Sequence, residues 1–225
     1  MRDCFLAAWL FIAGGLLGVV IENLWWRLRY GFWQSHVTLI WLPLCTVYSF
    51  GAVACYLGAI LLDGQNFIVR FLAFSIVGTV VEFIGGFLLD RGMQMRAWDY
   101  TGTFLNIRGY VNLMMTVIWG ILGIAFEQLV PGIDLLFDRI PANLLWFATA
   151  PLTLFLAADM LVTSACLARW SKRHQGVQAK TGLDRLIDRK YDDERMRRRF
   201  NDWHFRDEPD LSRTRPGKQE RETWG

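Results

Sequence analysis

"VGTVVEFIGGFLLDRGMQMRAWDYTGTFLNIRGYVN", Val77 to Asn112, is the stretch on which the fold turns. It starts as an apolar helix, carries Glu82 within its body, passes through a polar and aromatic loop, and returns to apolar sequence. An ionisable group at membrane depth is costly, so it normally faces the interior of a bundle and finds a partner there. The stretch therefore predicts two membrane helices with a polar loop between them.

The rest of the chain reads the same way. It has 225 residues, of which 53% are hydrophobic, with eleven Trp and sixteen Phe. Apolar runs in the first 170 residues reach the roughly 18 residues or more that cross about 30 Å of hydrocarbon. The predicted fold class is all-α, a polytopic membrane bundle of about five transmembrane helices. They are expected near 5–28, 44–62, 67–89, 109–130 and 142–168. Pro131-Gly132 is expected to end the fourth, and Pro141 to start the fifth. Segment 29–43, "RYGFWQSHVTLIWLP", is aromatic but short, and is read as interfacial or re-entrant. The first apolar run lacks a small-x-small cleavage pattern and is read as a membrane helix.

Two domains follow: a transmembrane domain over 1–169 and a charged tail over 170–225. Of 24 Lys and Arg, only Arg2, Arg27, Arg29, Arg70, Arg91, Arg96, Arg108, Arg139 and Arg169 precede residue 170. With five spans, most of these share a side with the tail. The positive-inside rule then puts the C-terminus in the cytoplasm and the N-terminus outside an inner (plasma) membrane. Within the tail, Leu183, Ile187 and Tyr191 recur at helical spacing. The segment reads either as a solvated helix or as one lying on anionic lipid, with disorder from Asp207 onward. Acidic residues interspersed among the basic ones argue against nucleic acid as a partner.

A tandem two-helix repeat is visible. Gly18 and Glu22 in "LLGVVIENLWW" parallel Gly78 and Glu82 in "IVGTVVEFIGG", and "TVYSFG" (46–51) parallels "TVIWG" (116–120). The two glutamates are expected to approach each other as a polar centre. Asn106 and Arg108 are expected to line it, with Asp99 and Tyr48 counted alongside; a Glu82–Arg108 contact is expected. Such carboxylates can share a proton, hold a cation or simply fix helix packing. Asp159 lies deep in the fifth span without a partner that sequence can name. No Walker A motif, HExxH pair, metal-ligand cluster or GxSxG elbow occurs. No catalytic residue, metal or cofactor is therefore expected, and the chain cannot be an ATPase by itself. Its four cysteines form no CxxC pair.

At "GVVIE" (18–22), "LPLCTVYSFG" (42–51), "TVVEFIGGFLLD" (79–90), "WDYTGTFLNIRGYVNL" (98–113) and "VIWG" (117–120), the chain resembles the family called Putative ABC-transporter type IV. The resemblance carries Glu22, Pro43, Tyr48, Gly51, Glu82, Trp98, Asp99, Tyr100, Asn106, Gly109 and Trp119 as family-pattern positions. Leu42, Thr46 and Ser49 depart from the Gly, Pro and Gly usual in the first loop, and Val37 from a basic residue. The family name implies a permease, with a separate ATPase or other membrane subunit, or further copies of the chain, as partners within the bilayer. The alternatives are a membrane scaffold or regulatory subunit, and a membrane-embedded enzyme acting on lipid headgroups.

Overall fold

The computed structural model describes residues 2–210. It is an all-α bundle: α1 (Arg2–Tyr30), α2 (Thr46–Leu61), α3 (Phe67–Met93), α4 (Leu113–Glu127), α5 (Val130–Asp138) and α6 (Ala142–His174). Two short helices follow, α7 (Gly182–Lys190) and α8 (Asp193–Arg199), and a two-stranded antiparallel ribbon joins β1 (Met95–Arg96) to β2 (His204–Phe205).

Helices α1, α3 and α6 are long and apolar enough to cross a membrane. Each is apolar around much of its circumference, as a helix must be when lipid replaces water as the outer solvent. Helices α4 and α5 form a fourth span if counted as one, bent by 45°. Here the sequence reading needs correcting. Pro131 does not end the fourth helix; it occupies the first turn of α5, where its missing N–H costs nothing. The break lies one turn earlier, after Glu127. Helix α6 begins after Pro141 as expected.

Helix α2 has 16 residues, about 24 Å and short of a full hydrocarbon crossing. Its start shows why. The Cys45 N–H donates to the Gly15 carbonyl at 3.2 Å, so α2 begins level with the middle of α1. Segment 31–45 therefore descends to that level without forming a helix. The second helical pair repeats the arrangement. The Thr79 hydroxyl meets that of Thr116 at 2.9 Å, which sets the first turn of α4 against the middle of α3. Pairs α1–α2 and α3–α4 pack more extensively than any other helix pair.

The described part of the tail folds back and packs one face on α6. Ile187, Met196, Phe200, Trp203 and Phe205 are buried with Trp170, Cys166, Leu167 and Met95 in one apolar cluster. The Phe205 ring meets Trp170 edge-on, centroids 5.2 Å apart. Burying these large rings against α6 is worth more than leaving them on a mixed-charge helix surface. The disorder expected beyond Asp207 falls mostly outside the described residues.

Candidate functional site

The two halves of the repeat build matching corners. In the first, a side chain on Gly18 would overlap the Tyr48 ring, so only glycine lets α2 approach α1 this closely. Tyr48 then donates its hydroxyl to Glu22 Oε1 at 2.5 Å. In the second, a side chain on Gly78 would overlap Trp119. Trp119 Nε1 donates to Glu82 Oε2 at 3.2 Å, and the Tyr100 hydroxyl to Glu82 Oε1 at 2.8 Å. In each half, therefore, a glycine admits an aromatic ring from the returning helix, and that ring's polar tip meets the glutamate four residues on.

The halves touch through the rings. Tyr48 and Trp119 have centroids 5.6 Å apart, and the Trp119 ring also abuts Gly51. Glu22 and Glu82 are near enough for their charges to interact, with no direct hydrogen bond between them. Glu82 is buried and both of its oxygens are engaged. Glu22 is half-buried and receives a hydrogen bond on Oε1 alone.

Other candidates fall elsewhere. Arg108 is exposed, has a left-handed backbone (φ 54°) and makes no ion pair with Glu82. The expected Glu82–Arg108 contact is not made, because the tyrosine and tryptophan already satisfy the carboxylate. Asp99 accepts from the Thr101 N–H at 2.8 Å and pairs with Arg96 at 2.5 Å. Asn106 donates to the Thr103 carbonyl and accepts from the Gly109 N–H, at 2.9 and 3.2 Å. Both shape the loop and neither reaches the glutamates. Gly109 supplies a positive φ of 75° in that turn. Trp98 Nε1 ties the loop down through the Tyr110 carbonyl at 2.8 Å. Pro43 is exposed in segment 31–45.

Asp159 finds partners that sequence could not supply. It is fully buried in the middle of α6. Its carboxylate accepts the backbone N–H of Leu42 at 2.7 Å and of Trp41 at 3.1 Å, and the Thr163 hydroxyl at 3.1 Å. On the opposite side of the same segment, Arg199 donates to the carbonyls of Leu39 and Leu42, both at 2.8 Å. Non-helical backbone at membrane depth must have its polar groups met by protein, and these two side chains do so.

Two clusters escaped the sequence reading. Asp90, buried at the end of α3, accepts the Tyr110 hydroxyl at 2.6 Å and Arg206 Nε at 2.8 Å. Beside segment 31–45, His36 Nδ1 meets Asp202 at 2.9 Å, and Gln34 Nε2 donates to Asn201 at 3.2 Å. Burial pushes the Asp202 carboxyl above the usual range, and His36 opposes that shift. Gln34 Oε1, His36 Nε2 and Asp202 Oδ1 are buried without a hydrogen bond. Only the tail's return brings these groups together, and nothing in local sequence marks it.

Long apolar helices, two irregular segments reaching helix mid-height, and buried carboxylates at their tips define a polytopic membrane protein with an internal polar centre. The chain belongs to the family described as Putative ABC-transporter type IV, whose model matches residues 9–164. The match ends within α6, before the tail. No curated protein and no solved structure matches the chain.

Proposed function

We propose that the chain is the permease-like component of a transporter, with Glu22, Tyr48, Trp119, Glu82 and Tyr100 as its polar centre. The observation that carries this reading is the asymmetry of the two carboxylates. Glu82 has both oxygens engaged by its aromatic neighbours, whereas Glu22 keeps one oxygen without a hydrogen bond, and Gln34, His36 and Asp202 each bury an unpartnered polar atom. Buried polar groups are normally satisfied, and a cluster that is not is where water, a proton or a small polar solute belongs. Glu22 is then the groups' contact with the transported species, and Glu82 holds the site in shape. A separate ATPase would supply the energy, and further copies of this chain or another subunit would complete the wall of the path. The basic residues favour an inner membrane with the tail in the cytoplasm.

A second reading is a scaffold or regulatory subunit whose polar centre is purely structural. The full satisfaction of Glu82 favours it. Glu22→Gln and Glu82→Gln separate the two, measured by thermal unfolding of the purified chain and by complementation of a deletion strain. The transport reading expects Glu22→Gln to fold normally and fail to complement. Glu82→Gln should lose about 1 kcal/mol, because its amide oxygen can still accept from Trp119 and its NH2 can donate to the Tyr100 hydroxyl, leaving neutral hydrogen bonds in place of charge-assisted ones. Full complementation by a folded Glu22→Gln protein would leave the scaffold reading.

A further inference from the structure

Lys190, Tyr191, Arg195, Met196 and Arg199 line a pocket of about 250 Å³ with Ile40, where the tail meets segment 31–45. Three of its six lining residues are cations, and none of the three is paired with a carboxylate among the described residues. Lys190 lies over the Tyr191 ring, 5.9 Å from its centre. Arg195 Nη1 donates to the Lys190 carbonyl at 2.6 Å. Arg199 spends Nε and Nη2 on the Leu39 and Leu42 carbonyls.

Acids are not scarce nearby. Arg169 and Arg173 are held by Asp188, Arg197 by Glu208, Arg198 by Glu194 and Arg206 by Asp90. Among the described residues of the tail, Arg173, Arg197, Arg198 and Arg206 are paired with carboxylates, Arg185 and Arg189 are exposed outside the pocket, and Lys190, Arg195 and Arg199 share its lining. Like charges gathered there repel unless an anion joins them.

The surroundings indicate how that anion is presented. Leu186 and Leu183 are exposed one and two turns before Lys190, on the same face of α7. Trp41, 42% exposed, donates its indole N–H to the Tyr191 hydroxyl at 3.0 Å and stacks on the exposed Phe155 of α6 at 5.7 Å. The Trp41 and Phe155 rings, with Tyr191, give the pocket an aromatic flank against α6. A soluble anion has no use for these apolar flanks, whereas an amphiphile uses both.

We propose that this pocket binds the phosphoryl group of an anionic phospholipid, with acyl chains lying along Phe155, Trp41 and the leucines of α7. Bound there, the lipid would cross-link α7, α8 and segment 31–45.

The test is native mass spectrometry of the full chain in neutral detergent, titrated in parallel with dioleoylphosphatidylglycerol, dioleoylphosphatidylcholine and inorganic phosphate. One saturable phosphatidylglycerol adduct is expected. The Lys190→Ala/Arg195→Ala double variant should weaken it by about tenfold or more. Arg185→Ala/Arg189→Ala removes the same charge from exposed positions outside the pocket and should weaken it less than about threefold. Equal losses in both double variants would reduce the effect to diffuse surface charge and overturn the proposal. Inorganic phosphate binding as tightly as the lipid would overturn the lipid assignment in favour of a soluble anion. Equal binding of phosphatidylcholine would overturn the requirement for an anion. If the first double variant unfolds, Lys190→Glu carries the same comparison, since that ammonium contacts only the Tyr191 ring.

Discussion

Replacing Asp159 by alanine should release segment 31–45 from α6 and leave the four-helix core of α1–α4 in place. The size of the effect follows from the groups stranded. The backbone N–H groups of Trp41 and Leu42 would both lose their acceptor in a buried setting. Each unsatisfied buried donor costs about 1–3 kcal/mol, which places the loss at about 2–6 kcal/mol. For a chain of this size each kcal/mol shifts Tm by about 2–4 °C, so a fall of about 5 °C or more is expected. The Thr163 hydroxyl also loses its acceptor, but it keeps the Ile40 N–H as a donor to itself and is the smaller contribution. Asp159→Asn should lie between wild type and Asp159→Ala, because one oxygen remains to accept. The assay is thermal unfolding of the detergent-solubilised chain, with hydrogen–deuterium exchange read peptide by peptide. Exchange should rise across 38–44 and stay unchanged in α3. A Tm within about 2 °C of wild type, together with unchanged exchange at 38–44, would refute the claim that this carboxylate anchors the segment.

Gly78→Ala should destabilise by about 1–3 kcal/mol, because the added methyl must displace the Trp119 ring from Glu82; unfolding together with the near-ultraviolet signal of that tryptophan checks it. The Asp188 carboxyl is held below its ordinary value of 3.8 first by the Arg169 hydrogen bond and then by Arg173. A depressed carboxyl contributes its stability in full above the unfolded value and loses it as pH falls through the folded one. Asp188 should therefore contribute fully to tail docking at neutral pH, and docking should weaken as pH falls below about 4, a dependence that Asp188→Asn abolishes in limited proteolysis of the tail.

The helices were legible because hydrophobic length is a local property. All five apolar segments are helical where composition places them. The repeat was legible too, since Gly18–Glu22 and Gly78–Glu82 recur at one spacing, and the structure gives both glycines an aromatic neighbour. What was not legible depends on groups without a side-chain signature, or on contacts made far along the chain. Asp159 is matched to backbone N–H groups, which every residue but proline possesses. Asp90 is matched to Arg206 across more than a hundred residues. Arg108 looked like a partner for Glu82 because it is close in sequence, but a left-handed turn at that residue leaves it exposed. The depth at which α2 and α4 begin also escaped, since hydropathy records length and not level.

These misses share a cause. Glu127 pairs with Arg70 of α3, but the most deeply buried acids of the helices, Glu82, Asp90 and Asp159, hold irregular backbone and loop aromatics instead. Asp159 holds segment 31–45, Glu82 holds Tyr100 of the following loop, and Asp90 holds Tyr110 of the same loop. The tail then clamps both segments from outside, through Arg199 on the first and Arg206 beside the second. A lone exposed ion pair would contribute little, but these contacts are buried and join three distant parts of the chain. Releasing segment 31–45 from the tail takes the loss of contacts from Arg199, Asn201 and Asp202 together, and all three lie beyond the 9–164 stretch that the family model matches.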